Sequence, residues 1–425
     1  MLVEQVMYPA LRQVVKRPRL ADFLFGRDRW GNPFSQQAYA DPHHVIELMR
    51  ADGPVQYHRM YQQWFVFGYE EARQVLTFDG LTNTAQAELL LQVRPYSKLS
   101  PRAKTFLRTF LNLTDPPQHT RLRGLVSRAF TPARVRALEP RVGPIVDELL
   151  TGLEARDGFD VMEDVAIPLP VNVIGTLLGL PRDRWDWSRR TTDHVVQMVD
   201  PFHGFDPVAM NETIDDIFEF YGSLAEKRLA HPRDDLISAL ASVEEDGDRL
   251  TRDELVTMVF FMMAAGHETT TRLLGNSVLA LARHPTQRAL VRAEPDLWPN
   301  AVEELVRFDT SVRNVGRGTT RDLEVGGVTI PAGSTVVINL GAANRDPRRW
   351  ERPNELVVDR DDPAPLSFAH GAHYCVGAAL ARMELRVALR ALVDRMGDYT
   401  VDEDAITWNE SLILRGPRRM TLRPG

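Results

Sequence analysis

The feature that most constrains the fold is a helical pattern that runs from Thr251 to His284. Thr251 and Glu254 form a capping box, in which each side chain bonds the other residue's backbone N–H. The first half of the pattern, LVTMVFFMMAA, is apolar on every face, so other parts of the chain must surround it. At 1.5 Å per residue this helix is about 50 Å long. The sequence therefore predicts one long helix through the centre of a globular core.

The rest of the chain predicts a helical body with a smaller sheet region. The 425 residues are 44% hydrophobic, and no linker, repeat or low-complexity tract divides them. We therefore expect a single domain over residues 1–425, in which residues 1–40 are an N-terminal extension. Strands are predicted as a hairpin at 323–330 around Gly326-Gly327, at 334–340, and near 55–57 and 64–68; a short helix is predicted at 301–308. The predicted fold class is mainly α with a smaller β region (α+β).

Composition excludes several classes of protein and location. The net charge of −7 argues against nucleic acid as a partner. The longest apolar run, 255–265, is too short to span a bilayer, and the N-terminus is neither a signal peptide nor an anchor. A single cysteine excludes an internal disulfide and fits a reducing compartment. We expect a soluble, cytoplasmic protein without a membrane anchor.

Two stretches, 81–100 and 198–210, mix apolar side chains with turn formers. Both are interpreted as mobile surface, either plain loops or substrate lids.

The only cysteine, Cys375, lies in the segment SFAHGAHYCVGAALARMEL, where a helix is predicted to begin. The helix dipole and the free N–H groups at such a position favour thiolate over thiol. Gly371 and Gly377 allow the backbone to pass close to a flat or bulky group. Three interpretations fit this cysteine: a buried structural residue, a nucleophile with His370 or His373 as its base, or an axial thiolate ligand to haem iron.

The long helical pattern breaks at the segment AGHETT, residues 265–270. Its glycine alone weakens a helix by ~1 kcal/mol. Either the helix reaches the surface there, or the break lies beside a ligand with Glu268 and Thr269 directed at it. An alcohol backed by a carboxylate can pass protons on through water. His267 is expected on the opposite face and is given no role.

Together these motifs resemble the cytochrome P450 superfamily of haem-thiolate monooxygenases. The segment from Phe368 to Gly377 is similar to the family's haem-binding loop, Phe-Gly-x-Gly-x-His/Arg-x-Cys-x-Gly, with Ala369 in place of the first glycine. If that backbone needs a positive φ, alanine costs ~1–2 kcal/mol there. Residues 265–269 are similar to the family's Ala/Gly-Gly-x-Asp/Glu-Thr motif on the helix that crosses the distal haem face. The resemblance covers roughly residue 40 to the C-terminus, with the motifs in the family's order.

The resemblance implies the cytochrome P450 fold, with the long central helix over a thiolate-ligated haem b, and O₂ as co-substrate. It implies that Gly266 leaves room for dioxygen, and that Thr269 and Glu268 are catalytic, donating a hydrogen bond and relaying protons. Cys375 is the implied metal ligand. The residues expected to hold the cofactor are His119, Arg123, Ala265, Gly266, Arg317, Phe368, His373, Cys375 and Gly377. Of these, the cations His119, Arg123, Arg317 and His373 would meet the haem propionates.

Two further groups of charges have expected roles. Glu304, Arg307 and Arg360 resemble the family's Glu-x-x-Arg pair and its second arginine, and we interpret them as structural, holding the backbone under the cysteine loop. A stripe of Arg382, Arg386 and Arg390 is either a solvated helix face or a docking surface for an acidic partner.

The predicted function is a haem-dependent monooxygenase that inserts one atom of O₂ into an apolar organic substrate. No flavin, nicotinamide or iron–sulfur segment is visible, so electrons are expected from separate proteins, which the resemblance implies to be a ferredoxin and its reductase. The alternatives are a cysteine hydrolase using Cys375, a non-enzymatic haem sensor or carrier, and direct use of peroxide. The acid–alcohol pair disfavours the last two, and a hydrolase leaves the long helix unexplained.

Substrate contacts are expected from Phe261, Ala264, Ala265, Arg313 and Ile413. Burying a guanidinium is costly unless it is paired. Arg313 therefore reaches an internal carboxylate, turns to solvent, or meets an acidic or carbonyl-bearing substrate.

Overall fold

The computed structural model describes residues 35–59, 61–92, 95–196, 198, 205–244, 247–411 and 413–425. Its α helices are α1 (Gln36–Ala40), α2 (Pro42–Arg50), α3 (Tyr69–Thr77), α4 (Thr84–Gln92), α5 (Pro101–Arg108), α6 (Gln118–Ala129), α7 (Pro132–Leu150), α8 (Pro168–Leu178), α9 (Trp185–Val196), α10 (Pro207–Ala230), α11 (Leu236–Ser242), α12 (Arg252–Arg283), α13 (Pro285–Ala293), α14 (Trp298–Phe308), α15 (Leu340–Ala343) and α16 (Ala378–Met396).

The strands are short. They are β1 (Val55–His58), β2 (Gln63–Val66), β3 (Leu81–Thr82), β4 (Phe159–Asp160), β5 (Asn314–Thr319), β6 (Leu323–Val325), β7 (Val328–Ile330), β8 (Thr335–Asn339), β9 (Thr400–Val401), β10 (Thr407–Trp408), β11 (Pro417–Arg419) and β12 (Thr421–Arg423). Helices outweigh strands, as the predicted fold class requires.

The chain forms two compact units. The described part of the first comprises residues 82–139 and 171–267, and is almost wholly helical. Its core contains packed aromatic rings: the centroid of Phe106 lies 5.3 Å from that of Phe260 and 5.9 Å from that of Phe218. Aromatic side chains bury more apolar area than other residues, so this cluster holds α5, α10 and the start of α12 together.

The described part of the second unit lies within residues 35–81, 140–170 and 268–425, and it contains nearly all the strands of the described chain. Strands β1, β2, β8 and β5 lie side by side in that order. β2 and β8 are parallel, and the other two pairs are antiparallel. Val66, Val336 and Ile338 of this sheet are fully buried in one apolar core together with residues of α3. The sheet thus fixes the position of β5, whose last three residues are buried.

Helix α12 is the predicted long helix, and it runs over 32 residues. Both bonds of the capping box form: the Glu254 N–H donates to Thr251 Oγ1 at 3.2 Å, and the Thr251 N–H donates to Glu254 Oε2 at 2.9 Å. Residues 255–260 are all buried, as their apolar character on every face predicts.

The predicted strands are also found. β6 and β7 form the predicted hairpin, with Gly326 and Gly327 at φ 59° and 78°. Two successive positive φ angles define the tight turn that this Gly-Gly pair predicts. β1, β2 and β8 fall within a residue or two of their predicted limits, and α14 begins at Trp298, three residues before its predicted start.

The interpretation of residues 81–100 as a plain loop is wrong, because they contain helix α4 and a 3₁₀ turn at Tyr96–Lys98. The Asp115 carboxylate accepts hydrogen bonds from the N–H groups of Asn83 and Thr84 and from the Thr82 hydroxyl. It thus caps α4 from a distant part of the chain. Burial raises the pKa of Asp115, but these hydrogen bonds outweigh burial and lower it. No local pattern in 81–100 predicts such a cap.

The other predicted loop, 198–210, lies partly outside the described residues, and its last four residues belong to α10. Of the N-terminal extension predicted at 1–40, residues 1–34 lie outside the described residues. In the described part of the chain, no helix is both long and apolar enough to cross a membrane.

Candidate active site

The cysteine loop is a tight turn that ends in α16. The Cys375 N–H donates to the Phe368 carbonyl at 2.9 Å, which closes the loop around a 3₁₀ turn at Gly371–His373. Gly371 has φ 73°, and a Cβ there would lie 2.7 Å from the Leu76 carbonyl oxygen, so only glycine fits. Gly377 is the N-cap of α16. Cys375 is exposed, which excludes the interpretation as a buried structural cysteine.

Ala369 is held in the left-handed region, with φ 59°. The family pattern has glycine here, and the structure shows why glycine suits the position. The expected strain of ~1–2 kcal/mol is therefore present in this chain. The loop keeps its shape despite it.

The aromatic residue of the loop is covered by an arginine. Phe368 is buried, and the Arg382 guanidinium carbon lies 4.2 Å from the centre of its ring. Arg382 also forms an ion pair with Glu303 and donates to the Tyr374 hydroxyl at 3.1 Å. Arg382 is thus engaged inside the protein, so the predicted arginine stripe is not a uniformly solvated face.

Beneath the loop lies a buried ion network of Glu304, Arg307 and Arg360. Arg307 donates to both Glu304 oxygens at 2.6 and 2.8 Å, and Arg360 Nε donates to both at 3.1 and 3.0 Å. The side chains of Glu304 and Arg307 are 0% exposed. The remaining guanidinium nitrogens of both arginines donate to backbone carbonyls, so the charges are paired and hydrogen-bonded throughout.

Asn344 connects this network to the cysteine loop. Its carbonyl accepts from Arg307 Nη1 at 2.8 Å, and its side chain bonds the Leu366 N–H and the Ser367 hydroxyl, each at 2.7 Å. Ser367 in turn donates to the Val306 carbonyl. The network therefore fixes the start of the loop, in agreement with its predicted structural role. The sequence alone gave no indication of Asn344.

One face of α12 is incompletely buried although the helix is otherwise enclosed. Between residues 255 and 281 the residues that keep some exposure, apart from Gly266, fall on a single strip: Phe261, Ala264, Ala265, Glu268, Thr269 and Arg272. Their spacing of three and four residues places them on one helix face. This exposed strip brings together both predicted catalytic residues and three of the predicted substrate contacts.

Arg272 positions the carboxylate of the exposed strip. Its Nη2 lies 3.6 Å from Glu268 Oε1, one helical turn away, and its Nη1 donates to the Pro417 carbonyl at 2.8 Å. The two side chains are only 13% and 15% exposed, so solvent screens the pair weakly. Sequence reasoning missed Arg272; an acid and a base at i, i+4 were the available pattern.

Gly266 and His267 lie off the exposed strip. A Cβ on Gly266 would lie 3.4 Å from Ile174 of α8, an ordinary van der Waals distance. Packing therefore does not require a glycine here, and the role implied for Gly266 stays a prediction. His267 is buried and its Nδ1 lies 3.9 Å from Asp193 of α9, on the opposite face as expected.

His119 and Arg123 lie one turn apart on α6, in the first unit. The His119 side chain is buried, with 2% of the residue exposed, and the backbone N–H of His119 donates to the Asp115 carbonyl at 2.8 Å. Arg123 is half-buried. The predicted i, i+4 relation holds.

In the second unit, Arg317 is buried on β5 and donates to the Gly316 carbonyl at 2.7 Å, and His373 ends the 3₁₀ turn of the cysteine loop. A buried arginine is a donor of the kind that an anionic group requires.

Comparisons with known proteins identify the family. The family profile for cytochrome P450 matches residues 194–396. Vitamin D(3) 25-hydroxylase of Pseudonocardia autotrophica is 39% identical over 412 residues, which are 95% of this chain and 96% of that protein. Cytochrome P450 107B1 of Saccharopolyspora erythraea is 37% identical over 396 residues, 91% of this chain and 96% of that protein.

Solved structures give the same result. CalO2 superposes with a TM-score of 0.86 at 30% identity, covering 92% of this chain and 98% of that chain. P450BioI, solved with an acyl carrier protein ligated to hexadec-9Z-enoic acid, has a TM-score of 0.85 at 28% identity and covers 92% and 99%.

The chain belongs to the cytochrome P450 family, and it is therefore an oxidoreductase of the monooxygenase class. The residues present fit the haem of this family. They supply one exposed thiol at a helix start, glycines that bring the backbone close, buried cations, and an uncovered strip on an otherwise enclosed helix.

Proposed function

We propose that this chain binds haem b with Cys375 as the axial ligand and inserts one oxygen atom of O₂ into an apolar organic substrate. The observation that carries the proposal is the exposed Cys375 thiol, held in a closed loop by the Phe368 carbonyl. The cations proposed for the propionates are His119, Arg123, Arg317 and His373. The haem would supply oxygen activation, using electrons from a separate redox partner.

We further propose a ferredoxin and its reductase as the electron donors, and a cytoplasmic location, which suits a single reduced cysteine. Phe261, Ala264 and Ala265 on the exposed strip give the substrate an apolar contact surface.

Proton delivery is proposed for the polar end of the strip. The Thr269 hydroxyl holds a proton beside the reacting oxygen, and the Glu268 carboxylate resupplies that hydroxyl through water. Arg272 orients the Glu268 carboxylate, because it lies one turn away and is itself fixed by the Pro417 carbonyl. The proposed proton relay therefore involves three side chains of α12, those of Thr269, Glu268 and Arg272.

The ligand assignment is tested by the absorbance of the reduced, CO-treated protein. Thiolate ligation gives a strongly red-shifted Soret band, which Cys375→Ser should abolish while Tyr374→Phe, the neighbouring control, retains it. A variant without the thiol that keeps the band would show that another residue binds the iron. Correctly folded wild type that takes up no haem would refute the proposed function itself.

The proton relay is tested by the ratio of peroxide released to product formed. Thr269→Ala should raise that ratio, because reductant is still consumed while the hydroxyl is lost. Thr271→Val is the matched control, since Thr271 is buried and its hydroxyl has no hydrogen-bond partner among the described residues. Glu268→Gln should mainly slow turnover, since proton resupply becomes difficult. Unchanged coupling in Thr269→Ala would transfer the proton role to another group.

A further inference from the structure

Arg313 extends strand β5 by one residue. The Leu340 N–H donates to the Arg313 carbonyl at 2.7 Å, next to the Asn314–Asn339 pair that begins the ladder with β8. On its other side the Arg313 N–H donates to the Ile413 carbonyl at 2.8 Å. The backbone of Arg313 is therefore fixed on both sides. Its hydrogen-bond partner Ile413 is another of the expected substrate contacts.

The Arg313 side chain is buried without a bonding partner. It is 8% exposed, and its guanidinium makes no hydrogen bond or ion pair with any described residue. Burial, with a smaller effect of Arg415, lowers its pKa to about 10, while Asp309 and Tyr39 oppose that shift. Arg313 is thus still charged at neutral pH. The N–H donors of this buried guanidinium therefore remain available to a ligand.

The surrounding charges do not neutralise it. We call Arg313, Arg345, Arg415 and Asp309 the cationic cluster. Asp309 is held by Arg415, through bonds of 2.8 and 3.1 Å. Arg345 is 2% exposed, donates to the Phe308 carbonyl and lies 4.1 Å over the Phe308 ring. Three buried arginines therefore share one carboxylate, and Arg313 is the member whose guanidinium bonds to no side chain or backbone group that the structure describes.

We propose that Arg313 binds the carboxylate of the substrate, so that this enzyme acts on apolar organic acids. This inference rests on the proposed function and specifies its substrate class. Arg313 and Arg317 lie four residues apart on one strand, hence on the same face and ~13 Å apart. If Arg317 binds a haem propionate, Arg313 holds the substrate carboxylate ~13 Å from that edge of the cofactor.

The energetics favour a ligand at this position. The cost of removing the guanidinium from water has already been met in folding, and the backbone on both sides is fixed. A carboxylate that arrives here gains charge-assisted hydrogen bonds in a poorly screened environment. A methyl ester of the same shape gains only a weak neutral contact.

The experiment compares apolar monocarboxylic acids with their methyl esters, using a panel of fatty, terpenoid and steroid acids on the full, haem-loaded chain. Binding is read as the substrate-induced spin-state shift of the ferric Soret band and, independently of the haem spectrum, by titration calorimetry. Acids should bind at least about tenfold more tightly than their esters. Arg313→Leu should remove that preference, Arg313→Lys should keep part of it, and Arg321→Leu, an exposed arginine just after β5, should leave it intact.

Each other outcome overturns the inference. Equal binding of acid and ester to wild type, or no binding by any acid of the panel, excludes an acid-binding role without recourse to a variant. If the Arg313→Leu variant still prefers acids to esters, another residue causes the preference. A protein that shows the thiolate CO band but no acid preference loses only this inference, whereas one that lacks the band fails the proposed function first.

Discussion

The ion network and the cationic cluster contain similar residues but differ in how their charges are satisfied. In the network every guanidinium nitrogen of Arg307 and Arg360 has an acceptor, and both oxygens of Glu304 are used. In the cationic cluster Arg313 has none among the described residues. Burial is nearly the same in both, so it does not distinguish them. The two groups differ in whether their buried donors have acceptors. A network in which every donor is bonded holds a backbone in place, whereas one with an unbonded donor is able to hold a ligand.

The largest expected effect comes from breaking the complete network. Glu304→Ala leaves two buried arginines without their carboxylate and should destabilise the protein by about 3–5 kcal/mol. Glu303→Ala is the matched control: it removes the neighbouring, partly exposed pair with Arg382 and should cost about 1 kcal/mol or less. Chemical denaturation measures both. Similar losses in the two variants would mean that the network contributes no more than a surface pair.

The comparison also predicts that replacing Arg307 lowers the stability of the protein, whereas replacing Arg313 does not. Arg307→Leu should lower the midpoint of thermal unfolding, because Glu304 and several carbonyls lose their donors. Arg313→Leu should leave it unchanged or raise it, because the substitution removes a desolvated charge that makes no bonds. Unfolding of both variants without substrate is the measurement. A loss in Arg313→Leu comparable to that in Arg307→Leu would reveal a protein partner for Arg313.

A buried carboxyl group shows how buried acids differ from buried arginines. Glu384 on α16 is 1% exposed, has no hydrogen-bond partner among the described residues, and burial raises its pKa well above the ordinary range. A carboxyl escapes the cost of burial by keeping its proton, whereas a guanidinium stays charged.

Glu384→Gln should therefore be more stable than wild type at neutral pH, with a gain that depends on pH. Below the ordinary glutamate pKa of ~4.3 both states of wild type are protonated and the gain is smallest. As the pH rises above that value the unfolded state ionises first, so wild type loses stability relative to the variant until the folded carboxyl also titrates. Glu154→Gln is the control of opposite sign, since its hydrogen bond from Arg395 lowers the pKa of Glu154. A gain for Glu384→Gln that does not change with pH would contradict this account.

The smallest expected effect is in the cysteine loop. Ala369→Gly relieves the positive φ, partly offset by the greater freedom of glycine in the unfolded chain, and should stabilise by about 0.5–1 kcal/mol. Ala372→Gly, three residues later in the 3₁₀ turn and without a positive φ, should instead destabilise by a similar amount. Thermal unfolding of the two variants separates local strain from a general effect of glycine.

Local patterns predicted much of the fold. The capping box fixed the start of α12, the Gly-Gly pair fixed the β6–β7 turn, and apolar character on every face predicted that residues 255–260 would be buried. The i, i+4 relation of His119 and Arg123 was readable for the same reason, because both residues lie within one helical turn. Such features depend on neighbours in sequence, so a single chain displays them.

The features that escaped prediction depend on residues far apart in sequence. Helix α4 is capped by Asp115, and Asn344 connects Arg307 to Ser367, so neither relation has a local pattern. The arginines of the cationic cluster lie just before β5, just after α15, and between β10 and β11, and only the folded chain brings them together. Arg313 is an expected substrate contact because burying a guanidinium is costly unless it is paired, but only the folded chain shows whether it has a partner.

Cys375 also makes cofactor content countable. Because it is the only cysteine and is exposed, a thiol-alkylating reagent can attach at one position of the 425-residue chain. A sulfur that is bound to iron is unavailable to such a reagent. The labelled fraction of a preparation, read by intact mass, therefore equals the fraction of chains whose site is empty, and every rate measured on this enzyme can be expressed per occupied site.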